Sequence, residues 1–219
     1  MTGPMTSQGS KIYLSNPAEE EAAIVSVTAA APAILVSTTA HGAVAGDYII
    51  PHNTDWPSLD EKVFVVLGVA TTTLTLGGSD TTDEVGSVTG GAMMDIFSDA
   101  DDITEIALAT VTRDSPAASV LDVTNLSDTS RQQLSGLKNS GTWTAQGFYD
   151  PGSPGQTVLR AAYDDGQKRA MIIEPPDGSQ ILYQTQVNQL SEVFGVDAPV
   201  QLNTGGVLNG GVTYIPPAP

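Results

Sequence analysis

The chain has 219 residues, with 22 glycines, 14 prolines and no cysteine, and its 25 acidic against 8 basic side chains give a formal net charge of −17. Without cysteine there is no disulfide framework and no Cys-based zinc site, and His41 and His52 alone cannot build a multi-histidine metal site within one chain. The acidic excess excludes a surface that clamps DNA or RNA, which needs clustered Lys and Arg, whereas 40% hydrophobic residues suffice to bury a real core.

Residues Met1 to Ser10 are small and polar, with too little apolar surface to offset the entropy of ordering, and are expected to be a flexible arm. They lack the basic head and apolar run of a signal peptide, and the chain has no apolar stretch long enough for a membrane-spanning helix, so a soluble chain made in a cytosol is expected. Lys11 to Ser15 reads as a short first strand. The acidic stretch from Ala18 to Ala23 reads either as a helical turn or as a solvated loop.

From Ala22 to Ala92 the sequence is rich in Thr, Val, Ile and Gly, with apolar runs separated by turn residues too closely for helices. Strands are predicted at Ala22–Thr28, Ala33–Thr38, Asp47–Pro51, Lys62–Val69, Thr73–Gly77 and Glu84–Gly90. Short β-branched strands without a helix are best closed into a small barrel or sandwich, since closure removes exposed edges.

The second half opens with the acidic segment around Asp99 to Asp102, followed by strands at Ile103–Val111 and Val120–Leu126 and a polar loop from Ser127 to Gly141. Between Thr142 and Asp150 the residues alternate, with Trp143, Ala145 and Tyr149 on one face and Thr142, Thr144 and Gln146 on the other, as in a half-buried strand. The helix signals are local and complete over 154–165: Ser153 at the N-cap, Pro154 at the first helical position and Gly166 as the stop. Val158, Leu159, Ala162 and Tyr163 form its expected apolar stripe, to be packed on a sheet. Further strands follow in RAMIIEP, SQILYQTQVNQL, PVQLN and GVTYI. In the second of these, Ile181, Tyr183 and Val187 share a dry side, while Gln184, Gln186 and Asn188 share an uncharged wet one.

Few residues invite chemistry. His41 and His52 sit beside Gly and Pro and read as turn residues. The carboxylates Asp99, Asp101, Asp102 and Glu105 lack the glycine and terminal Glu spacing of a calcium loop, and with Asp80, Asp83 and Glu84 they read as solvated acidic loops. There is no nucleophile elbow, dinucleotide fingerprint or phosphate loop, and aromatics make up only 5% of the chain. No catalytic residue, cofactor or metal ligand is therefore assigned.

The ordered series VLDVTNLSD, GLKNSGTWTAQGFYDP, SPGQTVLRAAYDDG, KRAMIIEPPDGS and GGVTYI, over about Ile103 to Ile215, resembles the major tail tube proteins of long-tailed, non-contractile (lambda-like) phages. The resemblance implies a mainly β fold, a β-sandwich or barrel flanked by one helix, forming hexameric rings stacked into a hollow tube that conducts DNA from capsid to host. It further implies a virion tail location after assembly in the host cytoplasm. The implied partners are further copies of the chain and tape-measure, tail terminator and tail-tip proteins, with DNA passing through without specific binding. The loop from Ser127 to Ser140 would reach toward the neighbouring ring, making Arg131, Gln132, Gln133, Leu134 and Lys138 the candidate assembly residues. The expected organisation is an arm and first strand at 1–21, an inserted small β domain at 22–92, the tube domain at 93–215 and a tail at 216–219. A lining that lets duplex DNA slide should avoid Lys and Arg, and the charge of −17 agrees with that. Gln184, Gln186 and Asn188 are candidates for the lumen or an inter-subunit seam. Two competing expectations are a receptor- or carbohydrate-binding β module, with Trp56 as its stacking platform, and a tube protein of type VI secretion kind.

Overall fold

The computed structural model describes residues 8–18, 20–88, 90–98, 102–114, 118–124, 130–136 and 141–217. The N-terminal half contributes β1 (Lys11–Ser15), β2 (Glu20–Val27), β3 (Ile34–Ser37), β4 (Tyr48–His52), β5 (Phe64–Ala70), β6 (Thr73–Gly77) and β7 (Met93–Phe97). Then come β8 (Ile103–Glu105), β9 (Thr110–Asp114), β10 (Val120–Asp122), β11 (Gln133–Ser135) and β12 (Thr142–Phe148). After α1 (Pro154–Asp165), the chain ends in β13 (Lys168–Glu174), β14 (Gln180–Val193) and β15 (Gln201–Ile215). Among the described residues the fold is mainly β with one helix, as expected.

Six strands close a barrel in the order β2-β3-β6-β5-β4-β7. Alternate residues point inward, so Ile24, Leu35, Ile49, Phe64, Val66, Leu74, Leu76, Met94 and Ile96 fill it, together with Trp56 and Leu59 from the β4–β5 connection. Two expected elements differ in the structure. The acidic stretch is neither a helical turn nor a loop but the start of β2, in which Ala22 and Ile24 are buried while Glu21 faces out. Residues 84–88 form no strand; they cross over the indole of Trp56, where a Cβ on Gly86 would lie 2.6 Å from the ring. The sixth strand is instead β7, which pairs with both β2 and β4.

The other sheet has seven strands in the order β8-β1-β13-β14-β15-β12-β9. The single strand expected over Ile103–Val111 is two strands at opposite edges, joined by residues 106–109. Six spacings of a flat sheet would separate those edges by about 29 Å. Five residue steps reach about 18 Å at most, so the sheet must roll until its edges approach. The linker continues both ladders, Ile106 N–H donating to Ile12 O and Ala109 N–H to Gln146 O, each at 2.7 Å.

Inside the roll lies a core of Leu14, Trp143, Ala145, Met171, Tyr183, Val187, Leu202 and Leu208, onto which α1 packs Leu159 and Ala162. Ser153 takes the N-cap backbone geometry without a side-chain cap bond, and Gly166 ends the helix at φ +60°. The buried stripe is Gly155, Gln156, Leu159 and Ala162, so Val158 is only half-buried and Tyr163 is exposed. Arg169, fully buried, donates to Ser15 O at 3.1 Å and pairs with Asp165, tying the helix end to β1 and β13.

The barrel docks on the outer face of this sheet through Tyr48, Ile50, Val63, Val65 and Phe97 against Ala170, Ile172 and Leu182. There β15 bulges, residues 210–212 standing opposite Tyr183, and Gly210 at φ +63° meets the β4–β5 connection. A Cβ at Gly210 would be 2.0 Å from Glu61 O, so the approach needs glycine.

Candidate assembly surfaces

Of the candidate loop residues, Arg131, Gln132, Gln133 and Leu134 are all exposed, and Lys138 lies outside the described residues. Of the described loop residues, Gln133–Ser135 form one strand of a two-stranded ribbon: Val120 pairs with Ser135, Leu121 with Leu134 and Asp122 with Gln133. Asp122 accepts the Thr124 N–H at 3.0 Å, making the turn-forming contact that follows β10. Every residue of both strands is exposed, including Val120 (63%), Leu121 (57%) and Leu134 (58%), with Val123 (42%) just beyond. None of these four belongs to any of the three apolar clusters.

The expected wet face of β14 is placed differently. Gln184 is fully buried, on the side of the sheet that the barrel covers with Ala170 opposite it; Gln186 is half-buried and donates to Gly166 O at 2.6 Å. Only Asn188 is exposed. Local alternation identifies the face correctly, and the docking of the barrel decides that it is dry.

The exposed polar face lies further along the same sheet. On β12 the expected alternation holds, with Trp143 and Ala145 inside and Thr142, Thr144 and Gln146 outside; the Trp143 indole donates to Thr185 Oγ1 at 2.6 Å. Register carries the outer row across four strands: Thr110, Gln146, Asn203 and Ser191 face the same way, as do Thr112, Thr144 and Gln189, the latter two flanking Gly205. These residues line an open depression without a charged side chain. Arg113 is held on the opposite face of β9, its guanidinium donating to Tyr183 OH at 3.0 Å and lying 5.3 Å from the ring centroid. At the end of the sheet remote from the ribbon, Phe148 and Val193 flank Gln201 on the open face, and Phe194 and Val196 follow in the β14–β15 loop, all four exposed.

His52 is more than a turn residue. At the end of β4 its Nδ1 lies 3.1 Å from Glu61 and its Nε2 2.7 Å from Asp95, and Glu61 also receives Lys168 from β13 at 2.6 Å. Burial works against charging the imidazole, but the bonds and charges of Asp95 and Glu61 outweigh it and raise the His52 pKa above its ordinary 6.5. Burial would raise the Glu61 pKa, yet Lys168 and His52 hold it below its ordinary 4.5. The network is a polar clasp between barrel and sheet. His41 is buried at a turn with Nε2 3.1 Å from Ala70 O. Trp56, the stacking platform of the carbohydrate-binding alternative, is only 4% exposed and belongs to the barrel core, which removes that alternative's anchor.

The acidic side chains are engaged by neighbouring backbone and hydroxyl groups. Asp80 accepts from Thr82, Glu84 from Ser58 and Asp102 from Ser98 N–H, while Asp99 and Asp101 lie outside the described residues. Among the described residues no three His, Asp or Glu side chains are grouped to hold a metal ion.

A rolled sheet with a packed helix, a docked barrel and an exposed apolar ribbon make this a mainly β protein. Residues 54–213 match the family described as phage tail tube protein, and the chain belongs to that family. A chain from a solved structure titled "Virion of native gene transfer agent (GTA) particle" is 16% identical, with a TM-score of 0.43, over 50% of this chain and 85% of that one. No curated protein matches the chain.

Proposed function

We propose that this chain is the major tail tube subunit of a siphovirus-like phage tail, forming hexameric rings that stack into the hollow conduit for DNA ejection. The observation that carries this reading is the β10–β11 ribbon with its exposed Val120, Leu121, Val123 and Leu134. A lone two-stranded ribbon is marginal in water, and this one gains no cover from its own chain's apolar clusters. Its order is accounted for when a neighbouring copy covers it. Arg131 and Lys138 belong to the same segment and would meet the acidic surface of that neighbour.

The lining is the uncharged face of β9, β12, β14 and β15, rather than Gln184 and Gln186. Thr110, Thr112, Thr144, Gln146, Gln189, Ser191 and Asn203 present uncharged polar groups and no cation to hold a phosphate. The net charge of −17 per copy, repeated around a ring, repels the duplex from the wall and lets it slide. The role is structural and non-catalytic. In the virion its neighbours are its own copies, a tape-measure protein inside during assembly, and terminator and tip proteins at the ends. The barrel, whose strands run from Glu20 to Phe97, is a module docked on β13 and β14 of the tube domain. Negative-stain electron microscopy of the concentrated protein tests the proposal. Six-fold rings or tubes with a central hole are expected, and isolated solid particles at every concentration and ionic strength would refute it.

A further inference from the structure

Two of the exposed apolar surfaces among the described residues lie toward opposite ends of the seven-stranded sheet. The ribbon leaves between Asp114 of β9 and Thr142 of β12, which face each other at one end; Phe148, Val193, Phe194 and Val196 mark the other end. The seven residues of β12 separate the two by about 20 Å. We propose that the tip formed by Phe148, Val193, Phe194 and Val196 is the seat for the β10–β11 ribbon of a second copy, stacked head to tail along the strand direction of β12. This rests on the tube reading and adds the receiving surface to it.

Three observations select a second copy as the occupant. Both surfaces are apolar and each is exposed on its own chain: Phe148 at 60%, Phe194 at 70% and Val196 at 94%, against 57% and 58% for Leu121 and Leu134. Arg131 of the ribbon makes no ion pair among the described residues and would meet exposed Asp197 of the tip, where Glu192 is already paired with Arg160 at 3.1 Å; the ribbon's own acid, Asp122, is engaged by Thr124. Their placement at opposite ends makes the contact heterologous: each copy offers a ribbon at one end and a seat at the other, so the contact repeats without closing. An isologous contact, ribbon on ribbon or tip on tip, would stop at two copies.

The chain has no cysteine, which makes thiol cross-linking free of background. Leu134→Cys and Phe148→Cys are prepared singly and together in the full chain, assembled, treated with a short bis-maleimide and run on a denaturing gel, with the same samples imaged. The mixed single variants should give a cross-linked dimer that neither variant gives alone, and the double variant should give a ladder of multimers. Tubes in the images with Leu134→Cys linked only to itself, or with no link at all, would overturn this seat while leaving the tube reading intact. A ladder without hollow tubes would keep the contact and remove the tube. Neither ladder nor tubes would overturn both.

Discussion

Replacing Leu121 and Leu134 together by Ser should weaken assembly while sparing the fold. The two side chains are cross-strand partners on the ribbon, exposed at 57% and 58%. Fully burying a leucine contributes about 2 kcal/mol, so the part still open to water is worth about 1.2 kcal/mol each on contact with a neighbour. Together they contribute about 2.4 kcal/mol, which corresponds to about 60-fold in the association constant at each contact. Because neither residue joins a core cluster, the subunit's own stability should change by less than about 0.5 kcal/mol. The assay is a concentration series in which pelleted polymer and soluble subunit are quantified, alongside a urea unfolding curve of the subunit. The midpoint of assembly should rise by at least an order of magnitude while the unfolding midpoint stays in place. An unchanged assembly midpoint would show that the ribbon is not an interface. A large loss of subunit stability would show that it packs on its own chain.

Leu159 is fully buried between α1 and the rolled sheet, so Leu159→Ala should cost about 2–5 kcal/mol in urea unfolding, whereas Tyr163→Ala, at an exposed position, should cost little. Trp143→Phe removes a buried indole N–H that donates to Thr185 and should cost about 1–3 kcal/mol by the same measurement. The clasp between barrel and sheet sets a pH window. The raised pKa of His52 contributes stability that is complete below about pH 6.5 and is lost as pH climbs through the folded value. The depressed pKa of Glu61 contributes stability that is complete above about pH 4.5 and is lost as pH falls through its folded value. Thermal melts from pH 4 to pH 9 should therefore show the His52 contribution fading on the alkaline side, and His52→Gln should flatten that limb. An unchanged alkaline limb in the variant would contradict the assignment.

The elements legible in the sequence are those whose causes are local. Pro154 and Gly166 bracket α1 within twelve residues, and the alternation through Trp143 and Ala145 identifies the two faces of β12. What escaped is decided by distant partners. Gln184 looks like a solvated side chain until the barrel docks on it, and nothing between Gln180 and Leu190 announces that docking. His52 finds its partners 9 and 43 residues away, and Glu61 finds Lys168 at a separation of 107. The strand expected over Glu84–Gly90 has the composition of β structure, yet its backbone is needed as a lid on Trp56. The uncharged row from Thr110 to Ser191 is assembled from four strands, and only the register reveals it. The phage tail tube family was legible because its motifs follow one another in order, each short and local.

The most direct test is a cryo-electron microscopy reconstruction of assembled particles at side-chain detail. A six-fold tube is expected, its channel wall carrying Thr112, Thr144, Gln146 and Asn203. A reconstruction in which that face is buried between subunits, or in which the chain forms no channel, would contradict it.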